Sequence, residues 1–113
     1  MTRIRWTRGA HEDLVAIGEY IARRDPGNAS RFVAELMDRT LVLRGQPLCG
    51  RILPELGDET VRELIHKNYR IVYRVVDVEA HILTVFEGHM LLRPGAIGTR
   101  REDDRRDEKD DET

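Results

Sequence analysis

The spacing of apolar residues changes period along the chain, and each change marks a new element. Met1–Trp6 alternates, with Ile4 and Trp6 pointing one way and Arg3 and Arg5 the other, which predicts a short edge strand. Helical spacing then takes over: Ala10, Leu14, Ile17 and Ile21 share one face of a helix whose N-cap is Thr7. Glu12 and Asp13 sit near its N-terminus and Arg23 and Arg24 near its C-terminus, the ends where the helix dipole favours each charge. Asp25-Pro26 interrupts the pattern and restarts it, because Pro fits the first helical position and Asp25 the cap before it. The second helix carries Ala29, Phe32, Val33, Leu36, Thr40 and Leu43 as its buried stripe, and Gly45 and Pro47 end it. So short a connection between two helices predicts an antiparallel hairpin.

The second half reads as strands. Leu48–Gly57 is loop-like, with one short extended piece at Arg51–Leu53. Val61–Ile65 and Tyr69–Val76 are strands, joined by a three-residue turn, His66-Lys67-Asn68, in which Asn68 takes the left-handed position. In the second of them Tyr69, Ile71, Tyr73 and Val75 share an apolar face directed at a core, and Arg70, Val72, Arg74 and Val76 share the other. Depending on register, Arg62 joins Arg70 and Arg74 there. That face is either a site for anions and acidic partners or a solvated sheet surface under long side chains. After a turn near Asp77–Ala80, a last strand sets Ile82, Thr84 and Phe86 against Leu83 and Val85. The order is β-α-α-β-β-β. It predicts an α+β domain with an N-terminal helical hairpin packed on one face of an antiparallel sheet, the other face at least partly open.

Composition narrows the class. The chain has 113 residues, enough for one modest core. Its net charge of −2 conceals an asymmetry, since Thr99–Thr113 contains no apolar residue and eight of the 21 acidic side chains. Residues 1–98 therefore read as the domain and 99–113 as a charged tail with nothing to bury, expected to be disordered. The domain is near neutral, which disfavours a general nucleic-acid binder. There is no signal peptide and no long apolar run, so a soluble cytoplasmic protein is expected, with no membrane association. Cys49 is the single cysteine, read as a packing residue; no internal disulfide, metal site or cofactor is expected.

No motif for a nucleophile elbow, a P-loop or a zinc site is present. One dispersed set fits acid–base chemistry: Glu55 in the loop, Arg70 on the central strand and His89 past the last strand. A carboxylate takes a proton from a ribose 2′-hydroxyl, an arginine stabilises the phosphorane-like transition state, and an imidazole protonates the leaving oxygen. The bland alternative is that Glu55 caps or pairs with a neighbouring arginine and His89 lies at the surface.

Taken together, several stretches resemble one family. They are Ala10, Asp13, Leu14, Ile17, Tyr20, Ile21 and Ala22 on the first helix; the second helix ending in Leu43 with the Pro47 bend; Gly50-Arg51 before Pro54-Glu55-Leu56; Val61-Arg62-Glu63-Leu64; and Tyr69-Arg70-Ile71-Val72-Tyr73-Arg74-Val75. In this order they resemble the ParE/RelE superfamily of type II toxin–antitoxin toxins, the ParE branch most closely, over Ile4 to Arg93. The resemblance implies a growth-inhibiting toxin neutralised by a ParD-like antitoxin encoded nearby. ParE-like members block DNA gyrase without hydrolytic chemistry of their own, and RelE-like members cut mRNA in the ribosome. Arg62-Glu63-Leu64-Ile65 follows the ParE pattern and lacks the lysine pair of RelE, and Gly88-His89-Met90 stands where RelE has basic residues. The first reading is thus a gyrase inhibitor without a catalytic site. The alternatives are a ribosome-dependent endoribonuclease, with Glu55, Arg70 and His89 as its catalytic residues, and a non-toxic remnant that only binds its antitoxin. Candidate target- or antitoxin-binding residues are Arg62, Arg70, Arg74, His89, Met90 and Arg93.

Overall fold

The computed structural model describes residues 1–88. The elements run β1 (Arg3–Trp6), α1 (Arg8–Ala22), α2 (Pro26–Arg39), a 3₁₀ turn (Thr40–Arg44), β2 (Arg51–Ile52), β3 (Val61–His66), β4 (Tyr69–Val76) and β5 (Glu79–Glu87). They form an α+β fold with one five-stranded sheet in the order β1-β5-β4-β3-β2. The boundary between the expected domain and the charged tail lies outside the described residues. No helix among the described residues is long and apolar enough to cross a membrane.

Both helix starts follow from their caps. Thr7 accepts a hydrogen bond from the Ala10 N–H at 3.1 Å and donates its own hydroxyl to the Ile82 carbonyl at 2.8 Å. One side chain thereby caps α1 and ties it to β5. Asp25 caps α2 by position only, with Pro26 as the first helical residue and no side-chain hydrogen bond. The second helix tightens into a 3₁₀ turn at Thr40, so Thr40 and Leu43 still reach the core.

Packing on the helix face follows the two predicted stripes. Ala10, Leu14, Phe32 and Leu36 meet Leu64, Tyr69, Ile71, Tyr73, Ala80, Ile82 and Val85, with Ile4, Trp6, Ile17 and Val33 packed at the margin. The sheet is mixed, not antiparallel: β1 runs parallel to β5. Strands β2 to β5 pair antiparallel in succession, and the helical hairpin stands between β1 and β2.

Four local expectations are corrected. The β3–β4 turn has two residues, not three: His66 pairs with Tyr69, and Lys67, rather than Asn68, has the positive φ of 54°. In β5 a register shift leaves Leu83 without a partner, since Val72 pairs with Thr84 and Tyr73 with Ile82. This bulge puts Ile82 and Val85 together on the core side and Phe86 on the other, which strict alternation does not allow. Finally, the helix-free face is not an open one. Leu53, Val61 and Val72 are fully buried there, with Phe86 against them. Arg70 and Arg74 on the same face are only 5% and 4% exposed. Cys49, expected to pack, is exposed.

Candidate functional site

The loop between β2 and β3 is closed from both ends. The Leu53 carbonyl accepts from the Leu56 and Gly57 N–H groups, and Gly57 supplies the positive φ of 63° that this turn needs. Asp58 accepts from the Thr60 N–H and hydroxyl at 2.9 and 2.8 Å. Glu55 is therefore held over the sheet opposite Arg70. The Nη1 and Nη2 groups of Arg70 donate to the two oxygens of Glu55 at 2.7 and 2.9 Å, a bidentate fork. Its Nε donates to Glu63 at 2.5 Å, and its guanidinium lies 5.1 Å from the centre of the Phe86 ring. Glu63 has no exposed side-chain surface; its second oxygen accepts from Arg51 Nε at 2.7 Å and from Arg51 Nη2.

Two carboxylates and two guanidiniums thus alternate across β2, β3, β4 and the loop. The charges balance, as buried ions must. Hydrogen bonds to Glu55 push the Arg70 guanidinium further above its ordinary range, burial opposes this, and Glu63 adds to the rise. Arg70 is permanently charged, and its Nε, Nη1 and Nη2 are each engaged by a carboxylate. A groove of about 580 Å³ lies beside the fork, lined by Pro54, Ile65, Arg51 and Lys67 as well as by the pair itself.

Of the predicted catalytic set, Glu55 and Arg70 are brought together, and His89 lies outside the described residues, as do Met90 and Arg93. Arg62 does not join Arg70 and Arg74. It pairs with Tyr73, which puts it on the helix face, where its guanidinium donates to the carbonyls of Glu59, Leu48 and Gly50 at 3.0, 3.2 and 3.0 Å. Arg74 lies opposite His81, which in turn pairs with Arg5 of β1. At that end of the sheet Glu79 accepts from His81 at 2.9 Å and forms ion pairs with Arg3 and Arg5 at 3.2 and 3.5 Å. The His81 hydrogen bond first, and the Arg5 charge after it, hold the Glu79 carboxyl below its usual range against the effect of burial.

Sequence reasoning missed Glu63. A three-residue turn pairs Ile65 with Tyr69 and brings Arg62 to the arginine face; the two-residue turn shifts the register by one and brings Glu63 instead. The only signal available was the Lys67-Asn68 pair itself, which also suits a two-residue hairpin loop.

A second groove, about 410 Å³ in volume and almost wholly apolar, runs along the outer side of the helical hairpin, between Val15, Gly18 and Ala22 of α1 and Ala29, Val33 and Met37 of α2. Gly18 lets the helices approach, since a Cβ there would lie 3.2 Å from the Val33 side chain. Val15 and Met37 are about half exposed, at 50% and 44%. Among the described residues no three His, Cys, Asp or Glu side chains come together as a metal site.

Residues 4–92 match the family model described as the ParE toxin of the type II toxin–antitoxin system parDE. A curated protein of Sinorhizobium fredii named "Putative toxin Y4kP" is 42% identical over 90 residues, which cover 77% of this chain and 88% of that protein. A solved structure of the chromosomal ParDE toxin–antitoxin system from P. aeruginosa superposes with a TM-score of 0.67 at 26% identity, covering 77% of this chain and 96% of that one. The RelBE2 toxin–antitoxin complex from Mycobacterium tuberculosis shares the fold, with a TM-score of 0.55 at 23% identity over 76% of this chain and 96% of that one.

Proposed function

The chain belongs to the ParE toxin family of type II toxin–antitoxin systems, and on that premise we propose that it arrests growth by blocking DNA gyrase and is neutralised by a ParD-like antitoxin. The observation that carries the choice of target is the Glu55–Arg70 fork. Cleavage of mRNA requires a carboxylate ready to accept a proton and an arginine ready to meet phosphate. Here each satisfies the other through two hydrogen bonds, and the arginine is 5% exposed. Such an arrangement holds a loop on a sheet; it does not hold a base and an electrophile in readiness. A toxin that acts by occupying its target needs a rigid surface and no reacting groups.

The apolar groove of the helical hairpin is suited to the antitoxin. An amphipathic segment that folds as it binds buries its apolar face between Val15 and Met37, and the exposed apolar surface of this toxin is covered in the same step. Expression of the chain without antitoxin tests the whole reading. Growth stops and a DNA-damage reporter is induced while translation continues, and co-expression of the neighbouring antitoxin gene restores growth. Translation failing first, with cut mRNA, supports the endoribonuclease instead. Unimpaired growth supports the non-toxic remnant.

A further inference from the structure

Charge is arranged differently at the two ends of the helix-free face. At one end Glu55 and Glu63 are committed to Arg70 and Arg51. At the other, the pairings Arg5–His81 and His81–Arg74 set three basic side chains in a row across β1, β5 and β4. Arg3 lies beside Glu79 in the next row. Glu79 is shared among them: Arg3 reaches it at 3.2 Å, Arg5 at 3.5 Å and His81 at 2.9 Å. The guanidiniums of Arg3, Arg5 and Arg74 against this one carboxylate, three charges against one, leave the cluster at +2 before His81 is counted. Arg44 adds to it, lining a hollow of about 570 Å³ together with Arg3, Arg5 and Glu79. Arg74 and His81 are nonetheless only 4% and 3% exposed, on a face that carries neither helix. A guanidinium so deeply buried requires an opposite charge. Arg5, Arg74 and His81 each make a further interaction beyond the contacts with Glu79.

The chain itself carries the complementary charge. Residues 99–113 hold eight Asp and Glu against five Lys and Arg, a net of −3, and no apolar side chain. Their first acidic run is Glu102-Asp103-Asp104. Strand β5 starts at the cluster, with Glu79, and ends at the opposite end of the sheet, where Glu87 pairs with Tyr69. The way back from Glu87 to His81 is six residue steps of strand, about 20 Å. Thirteen residues, 89–101, separate Gly88 from Glu102, and they reach up to about 45 Å when extended. We infer that the helix-free face is a docking surface for the chain's own acidic tail, which sets Glu102, Asp103 and Asp104 over Arg5, His81 and Arg74. The tail then completes at the β1 end the charge balance that Glu55 and Glu63 provide at the Arg70 end. With no apolar side chain to bury, it is held by charge, and salt weakens it. Covered in this way, the cationic end of the sheet is closed to nucleic acid and other polyanions. Both parts belong to this chain, so the docking is independent of the target that the toxin meets.

The test is made on the full chain, with Glu102→Gln, Asp103→Asn and Asp104→Asn combined in one variant. These near-isosteric polar changes do not threaten folding. At about 20 mM salt the variant is expected to melt about 4 °C below wild type, and at about 1 M salt, where charges are screened within about 3 Å, together with it. A second variant, Asp110→Asn with Asp111→Asn and Glu112→Gln, removes as much charge from the end of the tail and is expected to melt with wild type at both. The side-chain Nε–Hε NMR signals of Arg5 and Arg74 locate the contact, and they are expected to move in the first variant and not in the second. Equal melting of wild type and the first variant at low salt overturns the inference, as do an equal loss in the second variant, a difference that persists at high salt, and unmoved Arg5 and Arg74 signals. A wild-type melting temperature that changes on about ten-fold dilution overturns it as well, since the tail then docks on another copy of the chain.

Discussion

Gly50 has no room for a side chain. A Cβ there would lie 2.5 Å from the Tyr73 hydroxyl and 2.7 Å from the Glu63 carbonyl oxygen. Both neighbours are fixed: Tyr73 is fully buried, donates to the Pro47 carbonyl at 2.8 Å and accepts from the Gly50 N–H at 2.9 Å. Gly50→Ala is therefore expected to destabilise the fold by about 1–3 kcal/mol, as overpacking does. Chemical denaturation measures it, and an unchanged midpoint would contradict the tight contact. Tyr73→Phe removes the acceptor of a buried N–H and is expected to cost about 1–3 kcal/mol by the same measurement. The sequence identifies Gly50 as a loop residue and Tyr73 as a core residue. It does not show that one exists to admit the other, because they are linked by tertiary contact across 23 positions.

The open edge of β5 is closed by a helix side chain. Strand β1 accompanies β5 only as far as Ile82, where the chain turns into α1. Beyond that point Asp13 of α1 accepts from the Val85 N–H at 2.9 Å and from the Thr84 hydroxyl at 2.7 Å, covering an edge that β1 no longer accompanies. Asp13→Ala should speed amide hydrogen exchange at Val85 and lower stability by about 1.5–3 kcal/mol, the range for a hydrogen bond to a charged group. Protection equal to wild type at Val85 would show that the edge is held some other way. The β1–β5 pair also has a pH dependence through Glu79. Its folded carboxyl titrates below the ordinary value, mainly because of His81 and then Arg5. Its contribution is therefore complete above the unfolded carboxyl pKa of about 4.5 and is lost as pH falls through the lower folded value. The stability difference between wild type and Glu79→Gln should shrink on acidification below that range; a constant difference would exclude Glu79 as the source.

At this scale most of the fold was legible in the chain. The stripe Ala10, Leu14, Ile17, Ile21 and the face Tyr69, Ile71, Tyr73, Val75 were correct because periodicity reports burial directly. The errors came where one residue changes parity. The turn at Lys67-Asn68 decided whether Arg62 or Glu63 meets Arg70, and the bulge at Leu83 decided which residues of β5 reach the core. Neither leaves a mark in the hydrophobic pattern. Nor does the pattern reveal that Arg70 and Arg74 are buried, since an alternating arginine reads as a solvated position until its carboxylate partners are known.

For the molecule as a whole, the β2–β3 loop and the hairpin groove divide the work. The loop is bound to the sheet by the Arg51–Glu63–Arg70–Glu55 series, which neutralises the arginine face. The hairpin keeps an apolar groove on its outer side, where the core no longer requires one. On the proposed reading, a charge-balanced sheet face that presents no prepared acid or base among the described residues suits a toxin that blocks its target by occupying it. The most direct measurement is a supercoiling assay with purified gyrase and the purified, antitoxin-free chain. The account predicts that supercoiling falls as the chain is titrated in and that gyrase-cleaved DNA accumulates. Full supercoiling at saturating chain, with mRNA cut on translating ribosomes in a parallel reaction, would contradict it.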